Sequence, residues 1–203
     1  IPTTVTQIDE TAFYGCSKLT TVTFLEPEEG QTAEKLSLGS KVFQSCSALE
    51  EINLPARLAQ FSTDVFTTCS KLARVNIVGT YPDQVYSSKD GVLLTADGTE
   101  LLFYPRGREG VYSTPVGVQI IGESAFESCT KLTAIVISGQ VKEIKKTAFK
   151  GCTYLESIVF GGTRDDAPLT IRESAFYGCY NAALTSLTLP ENLVKMEVNA
   201  FGN

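Results

Sequence analysis

The chain has 203 residues, 43% of them hydrophobic and 20% charged, with a formal net charge of −6, which reads as a folded chain of one domain or two. The acidic balance, without a basic block, argues against nucleic acid as a partner, because phosphate contacts need clustered Lys and Arg. There is no histidine, so the commonest general base, the commonest metal ligand and the ordinary Ser-His-Asp triad are all excluded; no apolar run approaches the roughly eighteen residues of a membrane-spanning helix.

The chain opens at Ile1-Pro2 without an initiator methionine, a secretion signal or a lipidation signal, and so reads as a mature or trimmed piece of a longer protein. Val5 and Ile8 precede Ala12-Phe13, Cys16 follows, and then come Leu19, Val22 and Phe24. An insertion from Leu25 to Lys35 carries Glu26, Glu28, Glu29 and Gly30. The motif returns as Val42-Phe43, Cys46 and Leu49/Ile52/Leu54, then as Val65-Phe66, Cys69 and Leu72/Val75/Ile77.

Between Ile77 and Val118 the pattern is irregular. The apolar segments 85–94 and 100–105 flank Thr95-Ala96-Asp97-Gly98-Thr99, an Asp-Gly hairpin signal. The loop Arg106-Gly107-Arg108-Glu109-Gly110 follows, and Val111-Tyr112 and Val116 lead back to the repeat. Val118/Ile121 then precede Ala125-Phe126, Cys129 and Leu132/Ile135/Ile137; Val141/Ile144 precede Ala148-Phe149, Cys152 and Leu155/Ile158/Phe160. A further insertion, Gly161 to Pro168, holds Arg164, Asp165 and Asp166. Ala175-Phe176 and Cys179 come next, two extra residues delay Leu184/Leu187/Leu189, and a seventh pair, Ala200-Phe201, closes the series.

Successive cysteines are 30, 23, 60, 23 and 27 residues apart, a base period of about 23 that lies in the leucine-rich repeat range. The Leu-x-x-Ile-x-Leu part alternates with period two, as a strand with one buried face does. Phe, Cys and Leu at i, i+3 and i+6 face one way on a tight helical turn. No coil can bury its apolar side alone, so coils must stack. The expected fold is a right-handed curved leucine-rich repeat solenoid of the α/β type, with short parallel strands and short helical or 3-10 turns. It forms a single domain over residues 1–203 of about seven repeat units, with a β-hairpin insertion in an irregular coil at 80–119.

All six cysteines hold one place in the repeat. Stacked coils would set their parallel thiols slightly too far apart for a relaxed bridge, which predicts a ladder of free thiols. The alternative is a bridge between adjacent coils, Cys46–Cys69 or Cys129–Cys152. A ladder does not converge on a point and so does not hold zinc.

Nothing points to catalysis or to a cofactor. The carboxylate pairs Glu28/Glu29 and Asp165/Asp166 fall in loops expected to be exposed. Asp90-Gly91 and Asp97-Gly98 lack the alternating ligands of a calcium loop, and no glycine-rich phosphate loop of the required form occurs. Binding is the better reading. The strand residues expected to point outward are Thr21 and Thr23, Glu51 and Asn53, Arg74 and Asn76, Ala134 and Val136, Ser157 and Val159, Ser186 and Thr188. Half of the eight tyrosines, Tyr81, Tyr86, Tyr104 and Tyr112, fall in the irregular coil beside arginines, a composition found at binding hot spots and equally in a hairpin packed on a solenoid edge. The candidate protein-binding residues are therefore Thr21, Thr23, Glu51, Asn53, Arg74, Asn76, Tyr86, Tyr104, Tyr112, Val136 and Val159. The insertions read either as binding surface or as tolerated loops.

The repeat Ile8-Asp9-Glu10-Thr11-Ala12-Phe13-Tyr14-Gly15-Cys16-Ser17-Lys18-Leu19, which recurs as Ile121-Gly122-Glu123-Ser124-Ala125-Phe126-Glu127-Ser128-Cys129-Thr130-Lys131-Leu132, resembles the BspA-like, or Treponema-type, bacterial leucine-rich repeat. The segment from Asp90 to Pro105 resembles a variant coil seen between regular repeats of that family. Leu38, Val42 and Met196 depart mildly from the pattern. The resemblance implies a secreted or surface-attached protein of a host-associated bacterium, and a non-enzymatic adhesion module that binds an extracellular-matrix, plasma or bacterial surface protein. It brings no catalytic residues. The alternative function is a structural spacer that displays neighbouring domains.

Overall fold

The computed structural model describes residues 1–28, 31–161, 168–180 and 183–202. The chain is a β-solenoid of about seven turns, in two compact units, Ile1–Asp97 and Gly98–Asn203.

In the first unit, β1 (Gln7–Ile8), β2 (Leu36–Leu38) and β4 (Leu58–Gln60) form one parallel sheet in that order. These strands precede the Phe-containing turns. The strands that follow Leu-x-x form a second sheet: β3 (Glu51–Pro55) runs parallel to β5 (Arg74–Val78), with Ile52 opposite Val75 and Leu54 opposite Ile77. The parallel pairing follows from the repeat, which lays the same segment of successive coils side by side. The alternation predicted from sequence holds, since Glu51 and Asn53 are exposed whereas Ile52 and Leu54 are buried.

An antiparallel pair joins β6 (Tyr86–Lys89) to β7 (Val92–Thr95) across Asp90-Gly91. Both turn residues have positive φ, 52° and 77°, the geometry of a type I′ hairpin that suits the twist of the flanking strands. This Asp-Gly step lies inside the segment 85–94 that the sequence reads as a single apolar strand.

In the second unit, β8 (Glu100–Phe103), β10 (Ile120–Ile121), β12 (Glu143–Ile144), β14 (Leu169–Ile171) and β15 (Leu193–Met196) make one parallel array. The second array is β9 (Gly110–Ser113), β11 (Leu132–Ile137) and β13 (Ser157–Phe160). Residues 100–118 thus supply both strands of a regular coil. The copies at 19–24 and 184–189 form no strand. Two extra residues before Leu184 put that copy out of step with its neighbour, and a ladder forms only where hydrogen-bonding groups match in register.

The phenylalanines form columns. Rings stack at 5.2 Å for Phe13–Phe43 and 5.7 Å for Phe43–Phe66 in the first unit. In the second they stack at 4.5 Å for Phe126–Phe149 and 4.7 Å for both Phe149–Phe176 and Phe176–Phe201. These spacings approach the separation of adjacent strands, so one ring per coil fills the core without a gap.

The Phe–Cys–Leu segments are not helical: the described residues contain no α- or 3-10 helix. Isolated turn bonds do form, as from Cys46 N–H to Phe43 O at 3.1 Å and from Leu49 N–H to Cys46 O at 3.1 Å. A helix cannot propagate, because left-handed residues recur two places before and two places after the phenylalanine. Lys41 and Ser45 flank Phe43 in this way, with φ of 55° and 63°, and Ser124 and Ser128 flank Phe126, with φ of 54° and 61°. The reversal turns alternate N–H groups toward the next coil. Ser124, Phe126 and Ser128 donate to the carbonyls of Lys146, Ala148 and Lys150 at 3.2, 2.7 and 2.8 Å. What the sequence reads as a helical turn is an extra inter-coil ladder.

All six cysteines are free. Each thiol beyond the first donates to the carbonyl of the aromatic residue one coil earlier. Cys46 reaches Phe13 O at 3.3 Å, Cys69 reaches Phe43 O at 3.0 Å, Cys129 reaches Tyr104 O at 3.7 Å, Cys152 reaches Phe126 O at 3.1 Å and Cys179 reaches Phe149 O at 3.1 Å. Cysteine suits this place because it is a small hydrophobe with one weak donor. Burial pushes the Cys129 thiol up to about 12 and raises those of Cys46 and Cys152. These thiols are held neutral in the fold and ionise more readily in the unfolded chain. Their stabilising contribution is therefore complete below about pH 8 and is lost as pH rises toward about 12. The urea midpoint should fall between about pH 8 and about pH 11, and a C129A/C152A double variant should show a smaller fall. A midpoint that is flat with pH in the wild type would refute this account.

Candidate functional site

The outward faces of the Leu-x-x-Ile-x-Leu sheets are the surfaces the repeat builds most regularly. In the first unit, Glu51 lies opposite Arg74 and Asn53 opposite Asn76. Asn76 Nδ2 donates to Glu51 Oε1 at 2.8 Å and to Asn53 Oδ1 at 2.9 Å, which fixes these side chains on the sheet surface. Arg74 is exposed, and its stem packs against Gly91, where an added Cβ would meet Arg74 Cγ at 2.8 Å. This face is polar and internally hydrogen-bonded. Thr21 and Thr23 are exposed but belong to the copy without a strand, so they do not join it.

The corresponding face of the second unit differs. Val111, Ala134 and Ser157 form one cross-strand row, and Ser113, Val136 and Val159 form the next. Tyr112, Ile135 and Ile158 alternate with them and are buried. Val111 is 66% exposed and Val159 47%, and Val136, at the centre of the second row, is half-buried. The result is an apolar strip in water on a rigid sheet. Valine is favoured on any pleated surface, but contiguous exposed apolar groups also mark contact sites. Sequence reasoning misses Val111, because its coil lacks the Phe-x-x-Cys-x-x-Leu signature. The signal that finds it is Tyr112, which occupies the place of Ile135 in the ladder.

The tyrosine candidates lie elsewhere. Tyr104 is fully buried and stacks on Phe126 at 4.7 Å, taking the phenylalanine place in its coil. Tyr112 is 6% exposed and packs on Tyr104 at 4.9 Å. The Arg108 guanidinium lies over both rings, at 5.5 and 5.3 Å from their centroids. Burial pushes the Tyr104 hydroxyl well above its usual range. Tyr86 is half-buried; its hydroxyl accepts the Phe61 N–H at 3.1 Å and its ring meets Phe61 edge-on at 6.3 Å. Tyr104 and Tyr112 are core residues that a partner cannot reach without unpacking the coil, and Tyr86 is committed to a wall. The hot-spot reading of Tyr104 and Tyr112 is corrected on that ground, because both rings are packed inside the core.

Among the described residues no three His, Cys, Asp or Glu side chains gather so as to hold a metal ion, and no helix is long and apolar enough to cross a membrane. Of the acidic pairs, Glu29, Asp165 and Asp166 lie outside the described residues, as does the insertion at 162–167.

The family described as the BspA type leucine rich repeat region matches this chain in six copies, over residues 1–90 and 112–203. Among solved structures, a leucine-rich cell surface protein from Faecalibacterium prausnitzii A2-165 superposes with a TM-score of 0.60 at 23% identity, covering 100% of this chain and 69% of that one. The pneumococcal vaccine antigen PcpA superposes with a TM-score of 0.64 at 20% identity. The match covers 97% of this chain but only 57% of the PcpA chain. At these identities the likeness establishes the fold. No curated protein matches the chain in sequence.

Proposed function

Since this chain belongs to the BspA-type leucine-rich repeat family, we propose that it is a non-enzymatic adhesion module of a bacterial surface or secreted protein. Its partner is a protein of the extracellular matrix, the plasma or another bacterial surface, held against the outward sheet faces. Stacked repeats make extended, rigid surfaces suited to proteins rather than deep clefts suited to small substrates. The observation that carries this reading is the pair of exposed valines, Val111 and Val159, on either side of the half-buried Val136 on three neighbouring parallel strands. The polar row of Glu51, Asn53, Arg74 and Asn76 is the companion surface of the first unit. The description of the Faecalibacterium relative as a cell surface protein supports an extracellular location.

The test is surface plasmon resonance of the chain against immobilised matrix, plasma and bacterial surface proteins, fibronectin and fibrinogen included. Saturable binding to at least one is expected, weakened about tenfold or more by Val111→Asp with Val159→Asp. Arg74→Ala with Asn76→Ala reports on the first unit. Binding that survives both pairs would remove the sheet faces as the site. Absence of binding to every protein would favour the spacer role.

A further inference from the structure

The cysteine ladder is not uniform along its length. Cys69, Cys129 and Cys152 are buried, whereas Cys179 is half-buried and precedes the exposed Tyr180. Cys152 and Cys179 hold the same place in adjacent coils, whose rings Phe149 and Phe176 stack at 4.7 Å with an inclination of 2°. Cys179 Sγ lies 3.1 Å from Phe149 O, and the Cys152 N–H donates to that same oxygen at 3.1 Å. The shared acceptor draws the two residues together, and their thiols hydrogen-bond to each other.

The polarity of that thiol–thiol bond distinguishes its two ends. Burial pushes the Cys152 thiol well above its ordinary value, so it keeps its proton and donates. The hydrogen bond from Cys152 outweighs partial burial at Cys179 and holds that thiol below its ordinary value. A part-exposed thiol that ionises readily, beside a second thiol that can resolve it, is the arrangement on which two-electron oxidants act.

A bridge requires the sulfurs to close to about 2.05 Å. The residues just before the two cysteines, Gly151 and Gly178, are both glycine with φ of 74°. They lie against each other, since a Cβ added to Gly178 would meet Gly151 N at 3.7 Å. Glycine takes this left-handed backbone without steric cost, and no side chain at these two places wedges the turns apart. The turns can therefore tilt together. Parallel stacking still strains the bridge, which keeps it reducible.

We propose that Cys179 and Cys152 are a hydroperoxide-reactive pair whose product is a disulfide across two coils. The Cys179 thiolate attacks one oxygen of the hydroperoxide, the O–O bond breaks, and the other oxygen leaves as hydroxide or alkoxide. Cys179 is then a sulfenic acid. The Cys152 sulfur attacks the Cys179 sulfur, the S–O bond breaks, and the hydroxyl leaves as water with the Cys152 proton. The thiol pair loses two electrons and the hydroperoxide gains them. Nothing in this inference depends on the sheet faces proposed above.

The experiment uses the full chain carrying Cys16→Ser, which removes the exposed thiol. The folded chain is treated with hydrogen peroxide, remaining thiols are alkylated, and tryptic peptides are mapped by mass spectrometry. Trypsin separates the two cysteines at Arg164 and Arg172. The peptides holding Cys152 and Cys179 should appear joined, two hydrogens lighter than their sum, and should part on reduction. Cys179 should be consumed at least about tenfold faster than Cys129. Cys152→Ala should stop the reaction at the sulfenic acid, captured on Cys179 by dimedone. Oxidation of Cys179 without a link to Cys152, a link that forms only in urea-unfolded chain, or equal consumption of Cys179 and Cys129 would overturn the pair. The mapping with Cys152 in place decides this even if Cys152→Ala does not fold.

Discussion

Replacing Phe149 by alanine is expected to destabilise the protein by about 3–5 kcal/mol. The ring is fully buried and has a stacked neighbour on each side, Phe126 at 4.5 Å and Phe176 at 4.7 Å, the latter inclined by only 2°. Truncation removes the transfer free energy of the ring and opens a hole between two rings that cannot close, because the inter-coil hydrogen bonds hold the coils apart. Phe149 N–H itself donates to Ala175 O at 2.7 Å. In a solenoid, stability is a sum of coil and nearest-neighbour terms, and this substitution weakens two interfaces at once. Urea unfolding should show the full loss for Phe149→Ala and a clearly smaller one for Phe13→Ala. Phe13 ends its column, with one ring neighbour at 5.2 Å, and is already half-exposed. Similar losses for the two variants, or a loss below about 1 kcal/mol for Phe149→Ala, would show that the aromatic column is not the spine of the core.

Gly39→Ala should be the next most damaging change, at about 2–3 kcal/mol. A Cβ there would sit 2.6 Å from Glu10 N, 3.0 Å from Asp9 C and 3.1 Å from Glu10 Cα. All three are backbone atoms of the adjacent coil, so no side-chain rotation relieves the clash. The same residue donates its N–H to Ile8 O at 2.8 Å, which pins the two coils at the distance the methyl group would violate. Gly15→Ala is the control. Its φ is +72° and nothing lies within 4 Å of the added carbon, so only the left-handed backbone is penalised, at about 1 kcal/mol. Denaturation midpoints of the two variants separate steric contact between coils from backbone conformation. If Gly15→Ala costs as much as Gly39→Ala, the close approach of the coils is not what demands glycine.

The two glycines look alike in the sequence, and the difference between them marks a wider boundary. The spacing of the repeat was legible, although the conformation of its Phe-containing turn was not. Phe at one place, Cys three residues on and Leu three further set the coil period. The in-out alternation of Glu51-Ile52-Asn53-Leu54 identified the buried face, and the common place of the cysteines predicted free thiols over bridges. These are short-range signals, and each copy confirms the others in register.

Wherever a residue's role depends on the neighbouring coil, the sequence by itself did not determine it. Tyr104 stands three residues after Leu101, not five, so no spacing rule marks it as the phenylalanine equivalent; the exposed side of the Phe126 ring requires an aromatic residue there. The left-handed residues Ser45, Ser124 and Ser128 carry no glycine signature, and it is the carbonyls of the next coil, Thr67, Lys146 and Lys150, that accept their N–H groups. The thiol bonds are likewise invisible in sequence, since each acceptor lies 25 to 33 residues away. Arg57 reads as an ordinary surface residue, yet it is buried and its Nη1 donates to Val5 O at 3.0 Å and to Glu34 O at 2.9 Å. The sequence alone determined the period, the family resemblance and the apolar spine of this protein. Only the tertiary structure decided which side chains remain available to a ligand, because stacking buries some polar groups, such as Arg57 and Tyr104, and leaves valines such as Val111 and Val159 in water.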